Sequence, residues 1–306
     1  MKPGCFIPHM GEYASPEAIV SAAQTAEKLG YDSVWVTERL LFPVDPKNPY
    51  AAEPDGKLPQ AYRRVFDPIE ALTWVGAHTK KLRLGTSVLD MPFYNPVVLG
   101  RRLTTLDVLS GGRLTVGFGL GWSDDEFEAA GTTHNKRGAR ADEFMGVLHA
   151  MWKDNPAEFA GKFYTLPKSH IDLKPAQKPH PPIYLAAFSP AALNRIARLA
   201  DGWHPVALPF PAIRGMWASV LEMAKAAGRD PKELKLSIRG NLHLTDAAAG
   251  EGRWPFHGNK DEIKQDIAAA RELNADELVI DVTFSPGVKT AKDFEAANEM
   301  VRELVG

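Results

Sequence analysis

The chain is poor in the features that announce many protein classes. It has one cysteine, Cys5, in 306 residues. A single thiol cannot build an intrachain disulfide framework, and a reducing cytoplasm is the expected compartment. There is no long basic run, and 36 Lys and Arg against 38 Asp and Glu leave a formal net charge of −2. That balance carries no electrostatic footprint for nucleic acid. No stretch reaches the roughly 20 apolar residues of a membrane span, and the N-terminus, MKPGCFIPHMG, lacks the apolar region of a secretory signal. The nine histidines are scattered, with no His-x-His or His-Glu-x-x-His pair, so no metal is expected. Lone histidines such as His78 and His149 read as structural groups. A Gly-x-Ser-x-Gly elbow is also missing, and Cys5 reads as a small core residue rather than a nucleophile.

What the chain does have is alternation. Short apolar strands are expected at Cys5–Pro8, Ser33–Glu38, Leu82–Leu89, Arg113–Gly119, Pro182–Phe188, Gly202–Val206, Leu234–Leu244 and Glu277–Val282. Amphipathic helices fall between them. The first opens on Ser15-Pro16-Glu17, a capping serine, a proline at the first helical position and an acid in the first turn, and closes at Gly30. Others are expected at 67–78, 96–109, 124–130, 137–152, 190–200, 211–227, 260–273 and 291–304, with Asn259 and Glu262 placed as a capping pair. Eight strand–helix units imply a parallel sheet with right-handed crossovers, and eight is the number that closes a (β/α)8 barrel. A doubly wound open sheet is the alternative. No composition shift splits the chain, so residues 1–306 are read as one barrel domain with insertions. The two long irregular stretches, 40–65 and 155–181, are expected at the rim, the first over the catalytic mouth.

In such a barrel the chemistry sits at the C-terminal strand ends. Those ends hold Pro8-His9, Thr37-Glu38-Arg39, Thr86-Ser87-Val88, Gly119 to Ser123, Ala186 to Ser189, Trp203-His204, Arg239 to His243, and Asp281. Small residues, amides and hydroxyls outnumber clustered acids and bases. The segment Leu109–Gly131, LSGGRLTVGFGLGWSDDEFEAAG, stands out, because a strand runs into Gly117, Gly119 and Gly121 before an acidic helix. Glycines there either admit a flat or phosphorylated cofactor or serve only a tight bend. The order G-x-G-x-G-W-S fails the dinucleotide fingerprint G-x-G-x-x-G. Ser189-Pro190 reads as a helix N-cap, which is compatible with a phosphate seat at the barrel rim.

Four segments carry a resemblance: GYDSVWVTERLLFP at 30–43, LRLGTSVLDMPFYNP at 82–96, SGGRLTVGFGLGWSDDEFEAAG at 110–131 and PIYLAAFSPAALNRIARLADGW at 182–203. Their order and spacing resemble the bacterial luciferase-like monooxygenases, most of all the subgroup using the deazaflavin coenzyme F420. The resemblance implies a luciferase-like TIM barrel with the cofactor at its C-terminal mouth. It places Ser87 and Val88, with a non-prolyl cis peptide, behind the cofactor ring. Gly119, Gly121 and Trp122 then line the cofactor, Ala186 and Ala187 approach its tail, and Ser189 seats its phosphate.

It further implies hydride transfer to or from a small organic substrate. With FMN as the alternative cofactor, the reaction is an oxygen-dependent monooxygenation. Many F420 members carry Asp-His after the second strand, and here the pair is Glu38-Arg39. Glu38 is expected to keep the polar contact to the cofactor. An arginine stays protonated and cannot be a general base, so Arg39 is assigned to an anionic substrate or to developing charge. Phe188 stands where glycine is frequent. The resemblance also implies a homodimer through helices on one side of the barrel, and the second and third helices, rich in apolar positions, are the expected ones.

Overall fold

The computed structural model describes residues 1–51 and 55–306. Residues 52–54, part of the 40–65 stretch, lie outside the described residues. The chain runs β1 (Lys2–Phe6), α1 (Pro16–Lys28), β2 (Ser33–Val36), α2 (Pro68–His78), β3 (Arg83–Thr86), β4 (Leu89–Asp90) and α3 (Pro96–Leu109). It continues with β5 (Leu114–Gly119), α4 (Asp124–Ala129), α5 (Arg137–Lys153), β6 (Ala157–Ala160), β7 (Thr165–Ser169), β8 (Ile183–Leu185) and α6 (Pro190–Leu199). Then follow β9 (Gly202–Trp203), α7 (Phe210–Ala226), β10 (Lys235–Asn241), β11 (His243–Leu244), β12 (His257–Gly258), α8 (Lys260–Glu272), β13 (Glu277–Asp281) and α9 (Ala291–Val305).

Strands β1, β2, β3, β5, β8, β9, β10 and β13 pair in that order, all parallel, and β13 returns to β1. The eight-stranded sheet is therefore closed, and the open-sheet alternative is excluded. The expected caps form. Ser15 Oγ accepts from the Ala18 N–H at 3.1 Å, and Asn259 with Glu262 makes a reciprocal capping box on α8. Asn95, not singled out from the sequence, also caps α3. Such caps satisfy helix N–H groups that have no partner within the helix.

Several strand limits differ from the sequence reading. β1 starts at Lys2 because Lys2 and Pro3 already pair with Glu277 and Leu278. The third strand breaks at Ser87-Val88, where the peptide is cis, as the resemblance implied. The continuation, β4, stays parallel to the far end of β5. The stretch 155–181 is not wholly irregular, since β6 and β7 form an antiparallel hairpin.

Inside the barrel the side chains are unusually polar. Buried Glu277 near the N-terminal end accepts hydrogen bonds from Ser33 and Ser237. Ser237 Oγ lies 3.1 Å from His204 Nδ1, and His204 Nε2 lies 2.9 Å from Ser87 Oγ. The His204 ring stacks on Trp35 at 4.8 Å between centroids. Burial, helped by the nearby Arg239 charge, lowers His204 to about 3, so the imidazole is neutral. A hydrogen-bonded column thus runs up the barrel to the strand end at Ser87.

Candidate active site

Arg239 tops this column. Its Nη1 donates to the Ser87 carbonyl at 2.8 Å, its Nη2 to Asp281 Oδ2 at 2.8 Å, and its Nε to Asn241 Oδ1 at 3.0 Å. The guanidinium lies over the Phe6 ring at 4.5 Å. Arg239 and Asp281 are both buried. One arginine therefore ties the end of β3 to the ends of β10 and β13. The alternation of strand side chains explains it, since Ser237, Arg239 and Asn241 point inward from one strand.

The glycines after β5 make room for this kink. A Cβ on Gly119 would fall onto the Asp90 carboxylate and lie 2.6 Å from Val88 Cγ2. Gly121 has φ +68°, and a Cβ there would lie 2.9 Å from the Phe127 ring. Its N–H donates to Asp90 Oδ1 at 2.7 Å and its carbonyl accepts from Arg137 at 2.7 Å. Gly119 and Gly121 thus shape the strand end through packing and turn geometry.

Glu38 and Arg39 diverge. The Glu38 carboxylate accepts from the Asp90 N–H at 2.8 Å and from the Tyr94 hydroxyl. It is nearly enclosed, and burial followed by the negative charge of Asp90 pushes its carboxyl up to about 8. Burial also lifts Asp90, to about 6, against the Gly121 N–H that favours its charge. Arg39 turns instead into an aromatic cluster. Its guanidinium carbon sits 4.7 Å from the Trp122 ring centroid and 5.3 Å from that of Tyr62, and its Nη1 pairs with Glu126 at 3.0 Å.

The 40–65 segment supplies that cluster. Phe42, Tyr50, Leu58 and Tyr62 pack with Met10, Trp122 and Phe284, which follow the ends of β1, β5 and β13. The expected rim segment thus covers the C-terminal mouth. It is latched to α4, where the Leu40 N–H donates to Glu126, the Lys47 N–H to Asp125, and Asn48 exchanges hydrogen bonds with Asp124.

At the end of β8, which pairs with β5, Ser189 caps α6, its Oγ accepting from the Ala192 N–H at 3.3 Å. Ala187 is buried, Ala186 half-buried, and Phe188 points outward, 52% exposed. The sequence reading missed Tyr62, Asp90, Tyr94 and Glu126 as partners of Glu38 and Arg39. Arg239, His204 and Asp281 were legible as strand ends, though not as a connected group. His9 is another strand-end residue, and its role is structural. Its Nε2 accepts from the Thr37 N–H at 2.9 Å while its Nδ1 faces the Ile7 carbonyl at 3.0 Å.

A closed parallel barrel with its site at the C-terminal mouth is a (β/α)8 barrel, a fold that carries many chemistries. Residues 1–253 match the family described as luciferase-like monooxygenase, and the chain belongs to that family. It is an oxidoreductase. An uncharacterized protein of Mycobacterium tuberculosis is 32% identical over 229 residues, 72% of this chain and 78% of that one. The F420-dependent glucose-6-phosphate dehydrogenase of Amycolatopsis mediterranei is 29% identical over 290 residues, 88% of this chain and 80% of that one. The monooxygenase RslO1 from Streptomyces bottropensis shares the fold, with a TM-score of 0.79 at 22% identity, over 100% of this chain and 98% of that one.

Proposed function

We propose that the protein is an F420-dependent oxidoreductase acting on a small organic substrate. The observation that carries this reading is the 29% identity, along 88% of the chain, to an F420-dependent dehydrogenase. The residues at the mouth fit such a group. Ser87-Val88 forms a fixed shoulder whose carbonyl is held by Arg239, with Val88 half-buried. Ala186 and Ala187 carry no side chain bulky enough to block a cofactor tail. Ser189 opens a ten-residue helix whose first N–H groups and dipole favour a phosphate.

The deazaflavin, when bound, supplies two-electron hydride chemistry. The chain's part is to bind, orient and keep water out. Glu38, at about 8, keeps a proton on its carboxyl near neutral pH and can exchange it with a polar neighbour. Gly119, Gly121 and Trp122 frame the segment beside Val88. The aromatic cover from Phe42, Tyr50 and Tyr62 excludes solvent from the mouth.

Ser189→Asp tests the phosphate seat. It places a negative charge where the phosphate is assigned, and the F420 dissociation constant is expected to rise about tenfold, or roughly 1.4 kcal/mol. Unchanged affinity by fluorescence titration would move the phosphate elsewhere.

The second and third helices support a homodimer. Ile69, Leu72, Leu99, Leu103 and Leu106 are buried toward the barrel, leaving Trp74 48%, Val98 59% and Leu109 67% exposed on α2 and α3. Light scattering is expected to return twice the 33.6 kDa chain mass. A single-chain mass at micromolar concentration would refute the dimer. Among the described residues, no helix is long and apolar enough to cross a membrane. The single cysteine, buried and free, supports a cytoplasmic setting.

A further inference from the structure

Arg39 at the mouth has donors without partners. Its side chain is only 6% exposed. One of its terminal nitrogens, Nη1, is occupied by Glu126. Its Nε and Nη2 are buried without a hydrogen-bond partner. Those two atoms form one edge of the guanidinium, with N–H groups parallel and coplanar. Leaving donors of a charged group unpaired in a buried site costs more than an ordinary lost hydrogen bond. That edge is also the geometry that matches two oxygens of one carboxylate.

We infer that the Nε/Nη2 edge of Arg39 is a recognition site for a carboxylate on the substrate. The assignment rests on the mouth being the place of reaction, and it adds a substrate class to the proposed activity. The surroundings select the ligand. The rings of Trp122 and Tyr62 wall the guanidinium and suit a planar group. The Tyr62 hydroxyl is 3.1 Å from that of Tyr50, which adds a polar pair on the 40–65 segment.

Charge argues for a single negative ligand. Glu126 already neutralises Arg39 in part, and Asp90 lies close enough for its acidity to respond to both. A phosphate dianion would therefore meet two carboxylates with one partly compensated arginine. The 40–65 cover governs entry, since Tyr50 and Tyr62 belong to the cluster around Arg39. A carboxylate on the free edge leaves the Arg39–Glu126 pair intact, because Glu126 meets Nη1.

Calorimetric titration with benzoate, benzamide and inorganic phosphate tests the site without the loaded enzyme's activity. Benzoate should bind the wild type, while benzamide, its uncharged analogue, should bind at least tenfold more weakly. Arg39→Lys keeps the charge but lacks the edge, and Arg39→Gln removes the charge. Both should weaken benzoate at least tenfold. If Arg39→Gln fails to fold, Arg39→Lys decides. F420 affinity should be unchanged in Arg39→Lys, which separates this site from the cofactor assignment. Loss of F420 binding in the wild type would sink the cofactor reading and leave the benzoate result standing. Equal binding of benzoate and benzamide, tighter binding of phosphate than benzoate, no benzoate binding, or an unchanged Arg39→Lys would each overturn the carboxylate site.

Discussion

Arg239→Met is expected to destabilise the fold by about 3–5 kcal/mol, the usual cost of removing one partner from a buried ion pair. The change strands the Asp281 carboxylate, which is fully buried. It also leaves the Ser87 carbonyl without its 2.8 Å donor. Arg239→Lys should recover part of the loss, because an ammonium keeps the charge but cannot serve Ser87, Asp281 and Asn241 together. Urea denaturation measures both. The cofactor reading adds a second readout. In the Lys variant, which retains the charge, F420 affinity should fall as Ser87-Val88 loosens. A loss below about 1 kcal/mol in the Met variant would mean that neighbouring donors replace the arginine and that the clamp is dispensable.

Glu38→Gln is expected to change how stability responds to pH. Glu38 has an ordinary value of 4.5 and is raised to about 8 in the fold, first by burial and then by Asp90. The folded chain therefore binds more protons than the unfolded chain between those values. By linkage, this group's stabilisation is complete below about 4.5 and is lost as the pH rises through 8. Asp90, raised from 3.8 to about 6, acts in the same direction over a lower window. The buried, neutral His204 opposes both at acid pH, and comparison of the two variants cancels it. Each pKa unit is worth about 1.4 kcal/mol. Between pH 5 and 8 the wild type should lose at least that much more stability than Glu38→Gln. Denaturation curves at pH 5, 6.5 and 8 with the same slope for both proteins would show that the Glu38 carboxyl is not held protonated.

The barrel was readable because its signals are local. Ser15-Pro16, Ser189-Pro190 and the Asn259–Glu262 pair each mark a helix start within a few residues, and all three cap as expected. The β6–β7 hairpin was not readable. Only Leu166 of Thr165–Ser169 is buried, so the strand lacks the alternation that signals a sheet. The site was readable in position but not in connection. Glu38, Ser87, Arg239 and Asp281 all announce themselves as strand ends. Arg239 and Ser87, however, are 152 residues apart in sequence and meet only when the barrel closes. The glycines left two readings open, a cofactor edge or a tight bend. The requirement for glycine at 119 and 121 comes from Asp90, Val88 and Phe127, which occupy the space a Cβ would fill, and those contacts are invisible in the sequence. Neither the kinked β3 end nor the Arg39 cage, built from residues 39, 62, 122 and 126, has a spacing that sequence alone would flag.

The most direct test of the account is a parallel titration of the purified, cofactor-free protein with F420 and with FMN, followed by fluorescence and absorbance. The account predicts saturable one-to-one binding of F420, with FMN much weaker, and the F420 affinity reduced by Ser189→Asp. Tight binding of FMN with none of F420 would contradict it, and would make the protein a flavin-dependent member of its family.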